Sequence, residues 1–396
     1  MTMMIPGFPL PVGGFDYAPR TRLLFGRGLL SRVGDLAKEL GGRRVLVVTD
    51  PGLVRAGHAD RVIDAMSQSG LAVSCYDQVR ENPTTADVAR CLESAKAHGA
   101  DLFVGLGGGS SMDTAKGCNF ILTNGGEMRD YWGVGKAKLP MLPLIAVPTT
   151  SGTGSECQSA ALIADEKSHQ KMACLDPKAA ARVALLDPEL TLSLPQRVTS
   201  VTGIDAIAHA LETWVTTKRN PISSLYSEAA AKLLFSAFPR VLSAPGDVEA
   251  RGDMLLGAAF AGTAIENSML GCAHSAANPL TAHHDVVHGQ AVGMLLPWVI
   301  RFNGGWAEVA DRYRGLAVAL KGSDDFESST QATEWLASTV ESLMVRAELP
   351  LKLSACGVAR TDVPALAAEA KRQWTAQFNP RPVEEPEFAE LYRHIA

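Results

Sequence analysis

The chain has 396 residues, 46% of them hydrophobic and 20% charged, the balance of a globular protein and not of a disordered, collagen-like or disulfide-stapled one. Its 37 basic and 42 acidic residues leave a net charge of −5, so no basic surplus points to nucleic acid or an anionic membrane. The length predicts two or three domains and suffices to bury a large core.

The N-terminal MTMMIPGFPLPVGGFDY has no basic start, and proline and glycine interrupt its apolar residues, so no signal peptide is read there. No run of about 18 apolar residues occurs, and no transmembrane helix is expected. Arg43–Thr49 (RRVLVVT) reads as a buried strand, Val54–Ser69 as a helix and Leu71–Tyr76 as a second strand. Thr84–His98 reads as a helix capped by Thr84 or Thr85. Leu102–Leu106 is a strand running into glycines, Ser111–Gly117 opens a helix, and Leu142–Val147 is a strand ending at Pro148. Alternation at this spacing predicts a parallel sheet with helices on both faces. Beyond about Pro195 the chain turns Ala- and Leu-rich. Ala229–Leu242, Arg251–Ala264 and the C-terminal quarter read helical, so the boundary falls at Leu190–Pro195. An α/β domain over 1–192 is expected to precede an all-α domain over 193–396. The seven cysteines form no C-x-x-C pair, which fits reduced thiols in a cytoplasmic protein.

Two loops carry chemistry. Gly105–Ser111 (GLGGGSS) links a strand to a helix. Glycines there let backbone N–H groups and the positive helix end approach a pyrophosphate. It is neither G-x-G-x-x-G nor a P-loop, and a plain tight turn would read the same way. Pro148–Glu156 (PTTSGTGSE) follows the next strand and is rich in hydroxyls. Two such loops at the C-terminal ends of parallel strands point to one crevice, where open α/β sheets bind ligands. Asp50 ends the strand Arg43–Thr49. It can accept hydrogen bonds from a ribose and repel a 2′-phosphate, or serve as a helix cap before Pro51. The acid precedes the glycines, so the expected dinucleotide fold is a variant of the Rossmann order.

Asp205 and His209 in GIDAIAHA lie at i and i+4, on one helix face. His274 and His288 frame CAHSAANPLTAHHDVVHG, and five of nine histidines fall between 209 and 288. One carboxylate and three imidazoles make a plausible site for Fe²⁺ or Zn²⁺.

With these segments in place, the chain resembles the iron-containing alcohol dehydrogenase family over nearly its whole length. The likeness rests on GLGGGSSMDTAK (105–116), PTTSGTGSE (148–156), GIDAIAHALE (203–212) and the AHS…NPL…HG run (273–289). The resemblance implies an N-terminal α/β dinucleotide-binding domain, Rossmann-like with a parallel sheet, and an all-α C-terminal metal-binding domain. It implies metal ligands at Asp205, His209, His274 and His288. It implies NAD contacts at Asp50, Gly107, Gly108, Ser110, Asp113, Thr149, Thr150, Thr153 and Lys171. The family metal is iron, although zinc binds N/O donor sets more tightly. The chain departs from the family at Asn278, where members carry a histidine that lines the site and helps move protons. Asn278 cannot titrate. His283 and His284 lie within six positions of it, and His284 is the candidate replacement, against a route through water and the nicotinamide ribose.

The activity so implied is a metal-dependent, NAD(P)-linked alcohol dehydrogenase or aldehyde reductase. A maleylacetate reductase-like or hydroxy-acid dehydrogenase is the alternative within the family. A dehydroquinate synthase-like cyclase is the alternative in another class, but it would want a Glu-led ligand set with several Lys and Arg, which are sparse around Asp205 and His274. A non-catalytic metal or nucleotide binder is a further rival. By resemblance, Ile265, Trp132 and Phe378 line the substrate. The expected partners are a small alcohol or aldehyde and further copies of the chain, as a homodimer or higher homo-oligomer. Asp50 predicts NAD over NADP, since Arg43 and Arg44 sit at the strand's other end.

Overall fold

A computed structural model describes residues 14–167 and 170–396. The N-terminal stretch read against a signal peptide lies, up to residue 13, outside them. The chain divides into two compact units. One comprises Arg20–Ala206 and Ser236–Gly262. The other comprises Ile207–Phe235 and Thr263–Ala396, with the described residues before Arg20. The division falls inside the helix Gln196–Val215.

The first unit is built on nine strands among the described residues: β1 (Arg22–Phe25), β2 (Arg44–Val48), β3 (Ala72–Tyr76), β4 (Leu102–Gly107), β5 (Gly133–Val134), β6 (Leu144–Pro148), β7 (Ala160–Ala164), β8 (Lys171–Leu175) and β9 (Val183–Leu186). Six form a parallel sheet in the order β1-β9-β6-β4-β2-β3. β4, β6 and β9 are buried throughout, which is why β4 and β6 read as unbroken apolar runs. Alternate residues supply opposite faces. Val45, Val47, Leu102, Val104 and Leu106 pack with Ala59, Val62 and Met66 of the helix His58–Gln68. Leu46, Val48 and Phe103 pack with Cys91 and Ala95 of the helix Thr85–His98, and with Met112, Ala115 and Cys118 of the helix Gly109–Asn124. Thr84 caps the first of these helices through a capping box with Asp87, as its sequence asks. β5, β8 and β7 form a separate small sheet.

The segment expected to be one helix over Val54–Ser69 is two. Pro51–Arg55 and His58–Gln68 are separated by Gly57, whose φ of +76° is left-handed and breaks the first helix. β1, β5, β7, β8 and β9 were not anticipated. The second unit is helical: Cys272–His284, His288–Asn303, Ala307–Lys321, Ser329–Arg346, Val363–Arg372 and Glu385–Ile395 all belong to it.

Candidate active site

The order of the large sheet places its switch point between β2 and β4. The chain leaves β2 toward β3 at one edge, then returns to β4 on the other side. Ligands of open α/β sheets bind outside the strand ends at such a point. The sequence puts its candidates there. Asp50 follows β2, Gly107 ends β4, and Thr149 follows β6, with Val48 paired to Gly105 and Gly107 to Pro148. Gly108 is the N-cap of the helix Gly109–Asn124, which presents its first N–H groups and positive dipole end to this edge. A Cβ on Gly107 would stand 2.4 Å from Ser111 Oγ, at a φ of +145°. A Cβ on Gly108 would meet Thr150 Oγ1 at 3.2 Å, and one on Gly109 would meet Thr153 Cγ2 at 2.8 Å. The glycine loop and the threonine loop are therefore packed against each other. Ser110 lies in the first turn of that helix, its carbonyl accepting from Thr114 Oγ1 at 2.8 Å. Asp50 caps the helix Pro51–Arg55, its Oδ1 accepting from Gly52 and Leu53 N–H at 2.7 and 3.1 Å.

Behind these loops lies charge of which sequence reading named Asp113 and Lys171 but not Lys116 or Glu156. Lys116 is fully buried, and its Nζ donates to the carbonyls of Ser155, Gln158 and Ala160 and to Ser155 Oγ, at 2.7–3.0 Å. It therefore staples the second loop to the helix after the first. Ser155 Oγ also donates to Asp113 Oδ1 at 3.2 Å. Asp113 is thus held inward, and burial pushes its carboxyl up to about 6 against the attraction of Lys116 and Lys171. Glu156, 2% exposed and also attracted by Lys116, is pushed by burial up to about 7. Desolvation lowers the Lys171 ammonium, against attraction from Asp113, Asp205 and Glu81, although the residue as a whole is exposed at the start of β8.

The candidate metal centre begins on the helix Gln196–Val215. Thr202 on that helix packs against Gly152 of the threonine loop, leaving no room for a Cβ there. One turn on comes Asp205, then His209. A carboxylate oxygen of Asp205 and ring nitrogens of His209 and His274 lie within 4.8 Å of one another, all three residues buried. The His209 and His274 rings stack at 4.8 Å, and the His288 ring stands 5.5 Å from that of His274. His288 is therefore adjacent to the cluster, at the first position of the helix His288–Asn303. His274 Nδ1 is 2.6 Å from Glu212 Oε2, which leaves Nε2 as the ring's lone-pair nitrogen. A buried N/O donor set with one ring already oriented fits a divalent cation.

The remaining candidates have partners and exposures of their own. Asn278 stands one turn after His274, with Nδ2 donating to Gln373 Oε1 at 3.1 Å. His283 pairs with Glu369 at 2.6 Å on the surface. His284 faces Asp362 at 3.9 Å. It lies ten positions beyond His274, about 15 Å along the helix. Ile265 is buried, Phe378 partly so, and Trp132 is 43% exposed.

A strand-end crevice shaped for a dinucleotide and a buried centre for a cation define a class, the metal-dependent dehydrogenases that work with a nicotinamide cofactor. Within it, the chain belongs to the iron-containing alcohol dehydrogenase family. The model described as "Iron-containing alcohol dehydrogenase" matches residues 19–188, and "Fe-containing alcohol dehydrogenase family, C-terminal" matches 199–396. The protein is 38% identical to alcohol dehydrogenase 4 of Schizosaccharomyces pombe over 74% of this chain and 69% of that one. It is 31% identical to the NAD-dependent methanol dehydrogenase of Bacillus methanolicus over 94% and 97%. A crystal structure of 1,3-propanediol oxidoreductase superposes with a TM-score of 0.93 at 30% identity, covering 96% of this chain and 100% of that one. The protein is accordingly an NAD-linked alcohol or aldehyde oxidoreductase of an iron-containing family, which sets aside the cyclase and the non-catalytic readings.

Proposed function

We propose that the protein interconverts a short alcohol and its aldehyde with NAD(H), using one divalent cation held by Asp205, His209, His274 and His288. The observation that carries this is the buried trio of Asp205, His209 and His274. The names of two relatives, a methanol and a 1,3-propanediol enzyme, support a substrate of few carbons. When bound, the cation supplies Lewis acidity to the substrate oxygen and the nicotinamide supplies the hydride site.

The chain's own residues do the rest. The Asp205 carboxylate offsets cation charge, and the imidazoles supply neutral donors. Gly107, Gly108 and Ser110 present N–H groups to the pyrophosphate, with Thr149, Thr150 and Thr153 adding hydroxyls. The second oxygen of Asp50 receives a ribose hydroxyl and repels a 2′-phosphate, which favours NAD over NADP. Asp113, which also holds Ser155 of the threonine loop, and Lys171 are further NAD contacts, a reading carried by the family resemblance. Asn278 holds no titratable proton, so proton exchange runs through water and hydroxyls, with His284 too far along its helix to serve. We place the enzyme in the cytoplasm, a reading supported by its seven cysteines, none of which is in a disulfide among the described residues. Homodimer or higher assembly is carried by the family resemblance.

A panel of one- to four-carbon alcohols and aldehydes tests this, run with NAD⁺ and NADP⁺ (or their reduced forms) on Fe²⁺-reconstituted protein. Stoichiometric metal, turnover with NAD and loss of both in His274→Ala are expected. Absence of stoichiometric metal from the reconstituted wild type would sink the reading.

A further inference from the structure

We propose that Glu212 is the positioning residue that prepares His274 for the metal, and that only a carboxylate can do so. This rests on the metal-centre reading above. Asp205, His209 and Glu212 lie at i, i+4 and i+7 of one helix, hence on one face. Glu212 is 4% exposed. Its Oε2 meets His274 Nδ1 at 2.6 Å, and its Oε1 accepts from the Ala273 N–H at 2.7 Å. Each carboxylate oxygen thus faces a donor of its own.

The second donor explains why the geometry is fixed. Ala273 lies in the first turn of the helix Cys272–His284, whose opening N–H groups have no acceptor within the helix. The cap residue is Gly271, which offers no side chain. Acceptors come from elsewhere: Glu212 for Ala273, and Asn379 Oδ1 for the Cys272 N–H at 3.3 Å. A Cβ on Gly271 would stand 2.9 Å from Asn379 Oδ1 and 3.1 Å from Glu212 Oε1. Glycine is what lets both caps approach. Asn379 is itself held by paired amide bonds with Asn303 at 2.7 and 3.2 Å. Glu212 therefore anchors the helix carrying His274 and, with its other oxygen, holds the ring proton on Nδ1. Nε2 is then the donor nitrogen, on a ring stacked against His209.

Glutamine cannot replace it. One amide oxygen must serve two donors, and the NH₂ group then confronts either the Ala273 N–H or the His274 Nδ1–H. In the second case the imidazole moves its proton to Nε2 and loses its lone pair toward the metal. Such outer partners typically set metal affinity by about 10–100-fold.

The test uses the full-length protein stripped of metal, with Zn²⁺ as the probe. Affinity is read by competition with a chromophoric chelator, and the His274 tautomer by long-range ¹H–¹⁵N correlation on ¹⁵N-histidine protein. Wild type should show His274 as the Nδ1–H tautomer. Glu212→Gln should bind zinc about 10–100-fold more weakly and lose that signature. Asn379→Ala removes the neighbouring cap together with the amide bonds to Asn303, without touching Glu212, and should lower thermal stability while leaving tautomer and affinity in place. An Nε2–H tautomer in wild type overturns the proposal, and needs no variant to fold. So does Glu212→Gln binding zinc within twofold of wild type, or Asn379→Ala weakening it equally. Wild type that binds no zinc would instead remove the metal-centre reading itself.

Discussion

Glu156 is a buried acid whose Oε1 has no hydrogen-bond partner among the described residues. Burial pushes its carboxyl from the ordinary 4.5 up to about 7, with Lys116 pulling the other way. Between these values the folded protein holds a proton that the unfolded chain has released. Stability from this group is complete below pH 4.5 and is lost as pH rises toward 7. Glu156→Gln should remove roughly 3 kcal/mol of that decline, read as urea midpoints of the two proteins from pH 5 to 8. Asp113, pushed up to about 6, acts in the same direction and remains in both. Parallel curves would show that Glu156 is ionised throughout. His284 yields a second expectation, an unchanged single-turnover rate and pH profile in His284→Phe. A strong fall would restore it as a proton carrier. The buried trio of Asp205, His209 and His274 was legible because a carboxylate and imidazoles have few other reasons to be gathered in an apolar helical segment. Glu212 stood inside a quoted motif, GIDAIAHALE, yet its role was not legible. Its partners are 61 and 62 residues away, and only the packing of two helices brings them within reach. The i+7 spacing from Asp205 was the one available signal.

Among the elements, the helix Val248–Glu266 seats backbone to backbone on the threonine loop. Gly154 has a φ of +61°, and a Cβ there would lie 2.6 Å from Ala258 O and from Gly262 Cα. Both neighbours are backbone, so neither can swing aside. Gly154→Ala should cost about 2 kcal/mol or more, from strain and overpacking together. Thermal melts beside Gly246→Ala, where a Cβ meets nothing within 4 Å, check it. Equal melting of the two variants would mean that the helix shifts freely. The buried strands β2, β4 and β6 were readable because both faces are covered, so their apolar residues run together. β7 and β8 (AALIA and KMACL) were not readable, having one β-branched residue, Ile163, between them. β1 and β9 have four residues each, too short to show a period. The break at Gly57 was hidden because the apolar spacing continues across it.

For the molecule as a whole, the metal reading makes a thermodynamic demand. The donors of the buried trio come from two helices distant in sequence, so the unfolded chain has no ready-made site. A cation at 100 times its dissociation constant should then stabilise the fold by about 2.7 kcal/mol. Chelator-stripped protein should melt lower, and Zn²⁺ or Fe²⁺ should restore the loss in proportion to the logarithm of its concentration. A melting temperature indifferent to added metal would contradict this. The sheet unit carries a different consequence, for synthesis. All six strands of the large sheet have been made by Leu186, but Leu255 and Ala259, which cover Ala184, Leu186 and Cys157, belong to the segment that rejoins the unit only at Ser236–Gly262. On the ribosome the sheet therefore waits with a bare apolar flank while the intervening helices are translated. Apolar surface left open in this way is where nascent chains stick to one another. A truncation at residue 192 would keep every strand and make that exposure permanent.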